Sequence, residues 1–484
     1  MQVETVTREA ASGLKTAQIV FAPGEPGGTL TVRPAFAARL ARVGLNTASA
    51  FLDLPGEVVS GHPDRHVVRV ELPGVGACYL KRQHVVGWRE KLRNRRAGFG
   101  WVSRCEREVA ILQQLDAAGL PAPRWAAFGT HRGRAFLLVE EVPGATDLRR
   151  ILSDNALSLT DRRQLATNLG GALAAAHTAG FATPDLTAKH VLVNRETLAV
   201  TFLDWQSSTR GRVTDAQRAN ALGALHASLA GATNADRARV LRAYQGEQPA
   251  SSGRAARQPI LRAAARHAKR RSVRDQLSDA PAQRLVWLAG EAVCAVPEVA
   301  AVWPRPAVAV PFYGFGADGA SRVRFAGRDA ILVRGTTSAP LGRVRAWLRA
   351  TPWRSPGVTA GRVLFHLQRY GVPGPRLLAF GQRLTSATRA EWFALYEPPP
   401  GVVVRVWRRT APAVERRRAF DAIAVCLSKL HDAGCVLTDA KAAFALDGNR
   451  AAIADPCAVR IVKRVSAAAR RRDLRNVARL LGTE

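Results

Sequence analysis

At 484 residues, 47% of them hydrophobic, the chain is long enough for two or three domains that each bury a core of their own. Six cysteines without any CxxC pairing argue against a disulfide scaffold or a zinc ribbon, and no apolar stretch approaches the ~20 residues of a membrane-spanning helix. A net charge of +33, from 71 Lys and Arg against 38 Asp and Glu, makes an anionic partner the expectation: nucleic acid, an anionic membrane surface or a phosphorylated glycolipid.

In chain order, residues 1–44 read as an extension in which PGEPGG marks a loop. They carry Glu4, Arg8 and Glu9 but no apolar leader segment, which with the unpaired cysteines predicts a cytoplasmic protein, or one held peripherally on the inner face of the cytoplasmic membrane. HVVRVEL and CYLKRQ alternate apolar with polar residues across the turn PGVG and predict a strand hairpin that carries Lys81. The stretch WREKLRNRRAGFGWVSRCER is a peak of basic density with tryptophans interleaved, a composition that suits either a lipid headgroup layer or nucleic acid, and also a plain solvated face. Glu108 then opens the apolar-periodic run EVAILQQL, a helix that GLPAP stops. A lysine on a strand and a glutamate on a neighbouring helix form the ion pair that holds a lysine against nucleotide phosphates.

After the strand FLLVEEV and a mostly helical region comes HTAGFATPDLTAKHVLV, with Asp185 at the end of a helix before the short strand VLV. Asp204 follows the next apolar run, AVTFLDW. Phosphoryl transfer needs one carboxylate to orient and accept the proton of the attacking hydroxyl and a second, behind a strand, to hold magnesium on the nucleotide oxygens; the spacing suits Asp185 and Asp204 to those two tasks. Taken singly, Lys81 reads as a solvated edge residue, Glu108 as helix decoration, Asp185 as a turn residue, and His177 and His190 as packing. In order and together they read as a site.

The same blocks recur. GLPAPRWAAFG around Leu120 is echoed by GVPGPRLLAFG around Val372, and LAAAHTAGFATPDLTAKHVLV by LSKLHDAGCVLTDAKAAFAL, which predicts a duplicated domain. In the second copy Arg334 stands for Lys81, Ala360 for Glu108 and Phe444 for His190, while Asp439 and Asp455 remain. That half is expected to lack a complete site, and only a basic helix, RRRDLRNVARLLG, follows its last repeated block.

From about Ala50 to Tyr244 the chain resembles the lipopolysaccharide core sugar kinases of the Kdo/WaaP group, on the strength of YLKR, EVAILQQL with GLPAP, LVEEVPG, HTAGFATPDLTAKHVLV and FLDW. His190, five positions after Asp185, is usual in that family where a protein kinase carries Asn. The phosphate loop GxGxxG is absent, with only Gly56 and Gly61 before HVVRVEL, and Asp204-Trp205-Gln206 lacks the glycine of the usual metal-binding turn.

The resemblance, together with the internal repeat, implies an α+β fold of two tandem protein-kinase-like bilobal domains, each a small antiparallel sheet lobe with a helical lobe, the second degenerate and truncated. The implied boundaries are 45–248 for the catalytic domain, 249–303 for a basic helical connector and 304–484 for a pseudokinase. It implies ATP and Mg²⁺ as cofactors and a sugar hydroxyl of an anionic glycolipid, heptose or Kdo of the lipopolysaccharide inner core, as acceptor. Asp185, Lys81 and Glu108 would be catalytic; Lys81, Glu140, Glu141 and His190 would bind cofactor; Asp204 and His190 would hold metal. A small-molecule or protein kinase of the same fold, and a non-catalytic scaffold with a basic anion-binding surface, remain alternatives; dedicated nucleic-acid binding is the lesser expectation, since no reader motif occurs.

Overall fold

The run RHVVRVEL buries every second side chain, and as the strand Arg65–Leu72 it pairs antiparallel with Gly76–Gln83, so that Val67 lies opposite Lys81. The computed structural model that shows this describes residues 4–6, 18–20, 27–62, 65–154, 157–246, 258–268, 284–288, 293–303, 319–325, 327–338, 340–348, 353–386, 389–462 and 464–483. Most of PGEPGG and, in the stretch read as a basic connector, QPASSG at its start and the end of the basic run RAAARHAKRRSVRD lie outside the described residues. The chain divides into two units, one of Met1–Val59 with Asp64–Arg271, the other of Ser60–Pro63 with Ser272–Glu484.

In the first unit the antiparallel sheet runs Glu4–Val6, Gln18–Val20, Gly28–Val32, Trp125–His131, Arg134–Glu140, Gly76–Gln83, Arg65–Leu72. Its central strand RAFLLVE is apolar and buried from Ala135 to Val139 because both of its faces are covered. Phe136 and Leu138 pack with Phe36, Leu40 and Phe51 on one side, while Leu137 and Val139 pack with Val109, Leu112 and Leu115 on the other. Phe36 and Leu40 belong to the helix Pro34–Arg42, and Gly28–Val32 pairs with Trp125–His131. Much of the stretch set apart as an extension is therefore sheet and core: an apolar helix face one turn long has no visible partner until the sheet it covers is built.

The helix carrying Glu108 spans Arg104–Ala117, four residues longer at its start than the run EVAILQQL. Ser103 and Glu106 cap it reciprocally, an arrangement worth about 1 kcal/mol. Glu108 thus sits in the second turn. The helical part of this unit is built on the 20-residue helix Leu159–Thr178, with Asp215–Ser228 and Asn234–Gly246, and the small sheet Val200–Phe202, Val191–Asn194, Ala145–Asp147. Asp185 is not at a helix end: the helix stops at Thr178, and Asp185 lies in the irregular segment before the single turn Ala188–His190.

The second unit has its own antiparallel sheet, in the order Val286–Leu288, Val293–Ala295, Arg376–Leu384, Arg389–Glu397, Arg328–Ser338, Gly319–Phe325, covered by the helix Pro356–Arg369. Two of these strands and the helix Pro297–Ala301 fall in the stretch read as a helical connector, so the second sheet begins before residue 304. A second core gathers around the 20-residue helix Ala413–Asp432 and the helix Ala467–Leu481. There the fully buried Asp473 accepts from Leu437 N at 3.1 Å and lies 3.1 Å from Nε2 of His431. As in the first unit, a strand, a covering helix, a strand pair and a long helix follow one another in that order.

Candidate active site

Lys81 extends from the face of its strand that meets the Glu108 helix, since the buried Cys78 and Leu80 occupy the opposite register toward Phe36 and Phe51. Its Nζ lies 2.6 Å from Oε1 of Glu108, which is almost fully buried. The same oxygen accepts the backbone N–H of Trp205 at 3.3 Å, so one carboxylate ties the lysine strand to the turn after Asp204. Burial works against the lysine's charge, yet Glu108 and then Asp204 hold the ammonium above the ordinary lysine range.

Asp185, His190 and Asp204 converge: one ligand atom from each lies within 4.8 Å of the others, the one such group of His, Cys, Asp or Glu side chains among the described residues. Antiparallel pairing of Val191 with Phe202 brings the two chain segments together, and Leu203 N donates to the His190 carbonyl at 2.8 Å. Nδ1–H of His190 donates to the Asp185 carbonyl at 2.8 Å, with the Thr187 hydroxyl at 3.3 Å. That bond fixes the tautomer of a neutral ring and leaves the Nε2 lone pair toward Asp204, 3.7 Å away. Burial is the main reason the imidazole titrates below its usual range; Asp204 opposes it.

Asp204 itself takes a left-handed backbone, φ 62° and ψ 60°, a conformation uncommon for any residue but Gly and best tolerated after it by Asn and Asp. Burial would raise its pKa, but Lys81, His190, Arg65 and Lys189 hold the carboxylate below the usual range. Arg65 also donates to the Gln206 side chain at 2.5 Å. Two carboxylates beside an imidazole nitrogen form a donor set that suits a divalent cation, the oxygens matching Mg²⁺ and the nitrogen widening the choice toward Mn²⁺.

Not every expected residue joins this group. The Glu140 carboxylate lies 3.4 Å from Arg124, and Glu141 accepts from Arg69 at 2.8 Å and from the Tyr79 hydroxyl at 3.0 Å. Both carboxylates expected to contact a cofactor are thus engaged in ion pairs at the end of the strand. His177 is a core residue, with Nδ1 2.8 Å from the hydroxyl of Tyr244 and its pKa pushed down to about 4 by burial and by Arg218. Conversely, Arg65, Thr187 and the Trp205 amide belong to the site and were not singled out. Arg65 stands just before HVVRVEL, one of many arginines in a strongly basic chain, and a backbone amide carries no sequence signal at all.

Among its described residues the second unit lacks the convergence. Asp439 is exposed and its Oδ1 accepts Lys441 N at 2.8 Å; Asp455, with an ordinary extended φ of −117°, accepts Cys457 N at 2.8 Å. Phe444 is wholly buried in the core. Beside Ala360, where the first unit has Glu108, a cavity of about 400 Å³ opens, lined by Thr337, Trp353, Ala360, Pro456 and Cys457 among others.

Residues 49–244 match the model of the lipopolysaccharide kinase (Kdo/WaaP) family, so the resemblance carried by the sequence motifs is borne out over that segment. A solved structure of WaaP in complex with acyl carrier protein is similar at 21% identity and a TM-score of 0.36, covering 49% of this chain and 94% of that one. No curated protein matches.

Proposed function

With residues 49–244 matching a lipopolysaccharide kinase family, we propose that the first unit transfers the γ-phosphoryl group of ATP to a sugar hydroxyl of an anionic glycolipid of the lipopolysaccharide inner-core type, heptose or Kdo. The observation that carries the reading is the pairing of Lys81 with Glu108 beside the cluster Asp185, His190 and Asp204. Asp185 orients the acceptor hydroxyl and takes its proton as the bond to phosphorus forms. Lys81, held in place by Glu108, places positive charge against the nucleotide phosphates. Asp204 and the Nε2 of His190 would hold the metal, with Thr187 and the Asp185 carbonyl fixing the imidazole. Mg²⁺, when bound, neutralises charge on the phosphate oxygens. The second unit is read as a pseudokinase, since Ala360 and Phe444 stand where the first unit has Glu108 and His190.

Asp185→Asn is nearly isosteric and lies in a half-buried segment, so it should leave the fold and nucleotide affinity near wild type while reducing turnover by about 10²-fold or more. In a deletion strain, mass spectrometry of the core oligosaccharide should show one phosphate missing, restored by the wild-type gene and not by Asp185→Asn. Restoration by the variant would remove Asp185 from the reaction; an unchanged oligosaccharide in the deletion strain would remove the acceptor class.

A further inference from the structure

The helix Trp88–Arg96, sequence WREKLRNRR, has five basic residues and a single acid, and that acid is turned inward. Glu90 accepts from the Gln83 amide at 2.7 Å and from Arg104 N at 3.2 Å, and pairs with the Arg104 guanidinium at 3.0 Å. One turn on, the buried Asn94 donates to the Val102 carbonyl at 2.8 Å and accepts from Arg107 at 3.1 Å. Glu90 and Asn94 therefore define the inner face.

At 100° per residue the opposite face carries Trp88 and Leu92 at its centre, with Arg89, Arg95 and Arg96 around them. Trp88 is 42% exposed, and Trp101, in the loop that leads off the helix, is 49% exposed. A tryptophan and a leucine ringed by guanidinium groups, with no acid among them, is the arrangement that seats rings at headgroup level and cations on lipid phosphates. Nucleic acid fits less well: base stacking needs an open ring face, and the Arg89 guanidinium lies 5.7 Å from the centre of the Trp88 ring.

We propose that this outer face is a docking surface for an anionic lipid bilayer. It stands independently of the phosphotransfer reading, since it uses none of the residues of the Asp185 site. Such a surface holds the first unit at the place where a glycolipid acceptor is found.

The test is co-sedimentation of the full chain with phosphatidylcholine vesicles, with and without phosphatidylglycerol. The wild type should bind the anionic vesicles more tightly, and the double variant R95E/R96E should weaken that binding by at least about tenfold. Trp88→Ala should cost a smaller factor that salt does not abolish. Because the whole chain is strongly basic, R417E/R418E serves as the control: it reverses two exposed charges in the other unit and should leave binding within about twofold. Equal loss in both double variants would mean that net charge alone attracts the chain, and would overturn the assignment. So would a wild type that binds single-stranded nucleic acid in preference to anionic vesicles and loses that preference in R95E/R96E.

Discussion

Asp204 stands at φ 62° without a glycine on either side, and three contacts hold it there: the Leu203 amide on the His190 carbonyl, the Trp205 amide on Glu108, and the charge of Lys81. Backbone strain of this kind costs of the order of 1 kcal/mol and persists where surrounding structure over-determines it. The variant to make is Asp204→Asn, because Asn tolerates the left-handed region and an alanine there would confound strain with lost ligation. Nucleotide affinity should lose its dependence on Mg²⁺ in Asp204→Asn, measured by titration calorimetry with and without the metal; an unchanged dependence would make Asp204 only a strand-end residue. Lys81 is a poorer probe, since its removal leaves the buried Glu108 unpaired at a cost of about 3–5 kcal/mol. Lys81, Glu108, Asp185, His190 and Asp204 were legible in the sequence because each is a chemically distinctive residue set in a recognisable order. The Trp205 amide was not, because any residue at that position supplies an N–H and only the fold decides where it points.

A similar contrast holds between elements. The hairpin was legible because its alternation is complete, but alternation says nothing of what a buried polar side chain meets on the inner face. His66 lies directly opposite Arg82 across the hairpin. Arg82 donates to His66 Nε2 at 3.3 Å, so Nδ1 of His66 carries the proton and donates to Nε2 of His84 at 2.6 Å, with the two rings stacked. Arg82 also donates to the Phe51 carbonyl at 2.8 Å and to that of Leu54, anchoring to the sheet the helix Ala48–Asp53 that ends between them. Burial, then His84, Arg82 and Arg134, push the pKa of His66 down to about 2 from an ordinary 6.5. The unfolded chain therefore binds a proton that the folded chain refuses: the contribution of His66 is fully present above pH 6.5 and is lost progressively as pH falls from there toward 2. In urea unfolding, stability should fall by about 2 kcal/mol between about pH 6.5 and pH 5 from this group alone, and His177 adds in the same direction. His66→Gln should reduce the slope of stability against pH by about one proton. If the variant and the wild type have the same slope, the protons are taken up elsewhere.

At the scale of the whole molecule, the repeated sequence blocks correspond to two units that each own a sheet, a covering helix and a long central helix of 20 residues, with separate cores. What differs is what the covering helix presents. In the first unit Glu108 reaches the lysine strand and the turn after Asp204 together; in the second, Ala360 carries no carboxylate, and a cavity beside it is lined by Pro456 and Cys457. Without that link Asp455 keeps an unstrained extended backbone and spends its carboxylate on capping the next turn, and Asp439 spends its own on the Lys441 amide. The imidazole that would join them is Phe444, buried where no ligand reaches it. These are structural uses of carboxylates, so Asp439→Asn in the full chain should leave turnover within about a few-fold of wild type, against the loss of about 10²-fold or more expected for Asp185→Asn. Both variants are to be compared on the same acceptor, with thermal unfolding alongside to confirm that each is folded. A drop in Asp439→Asn as steep as in Asp185→Asn would place a working site in the second unit, and the cavity beside Ala360 would then have to be read as half of it.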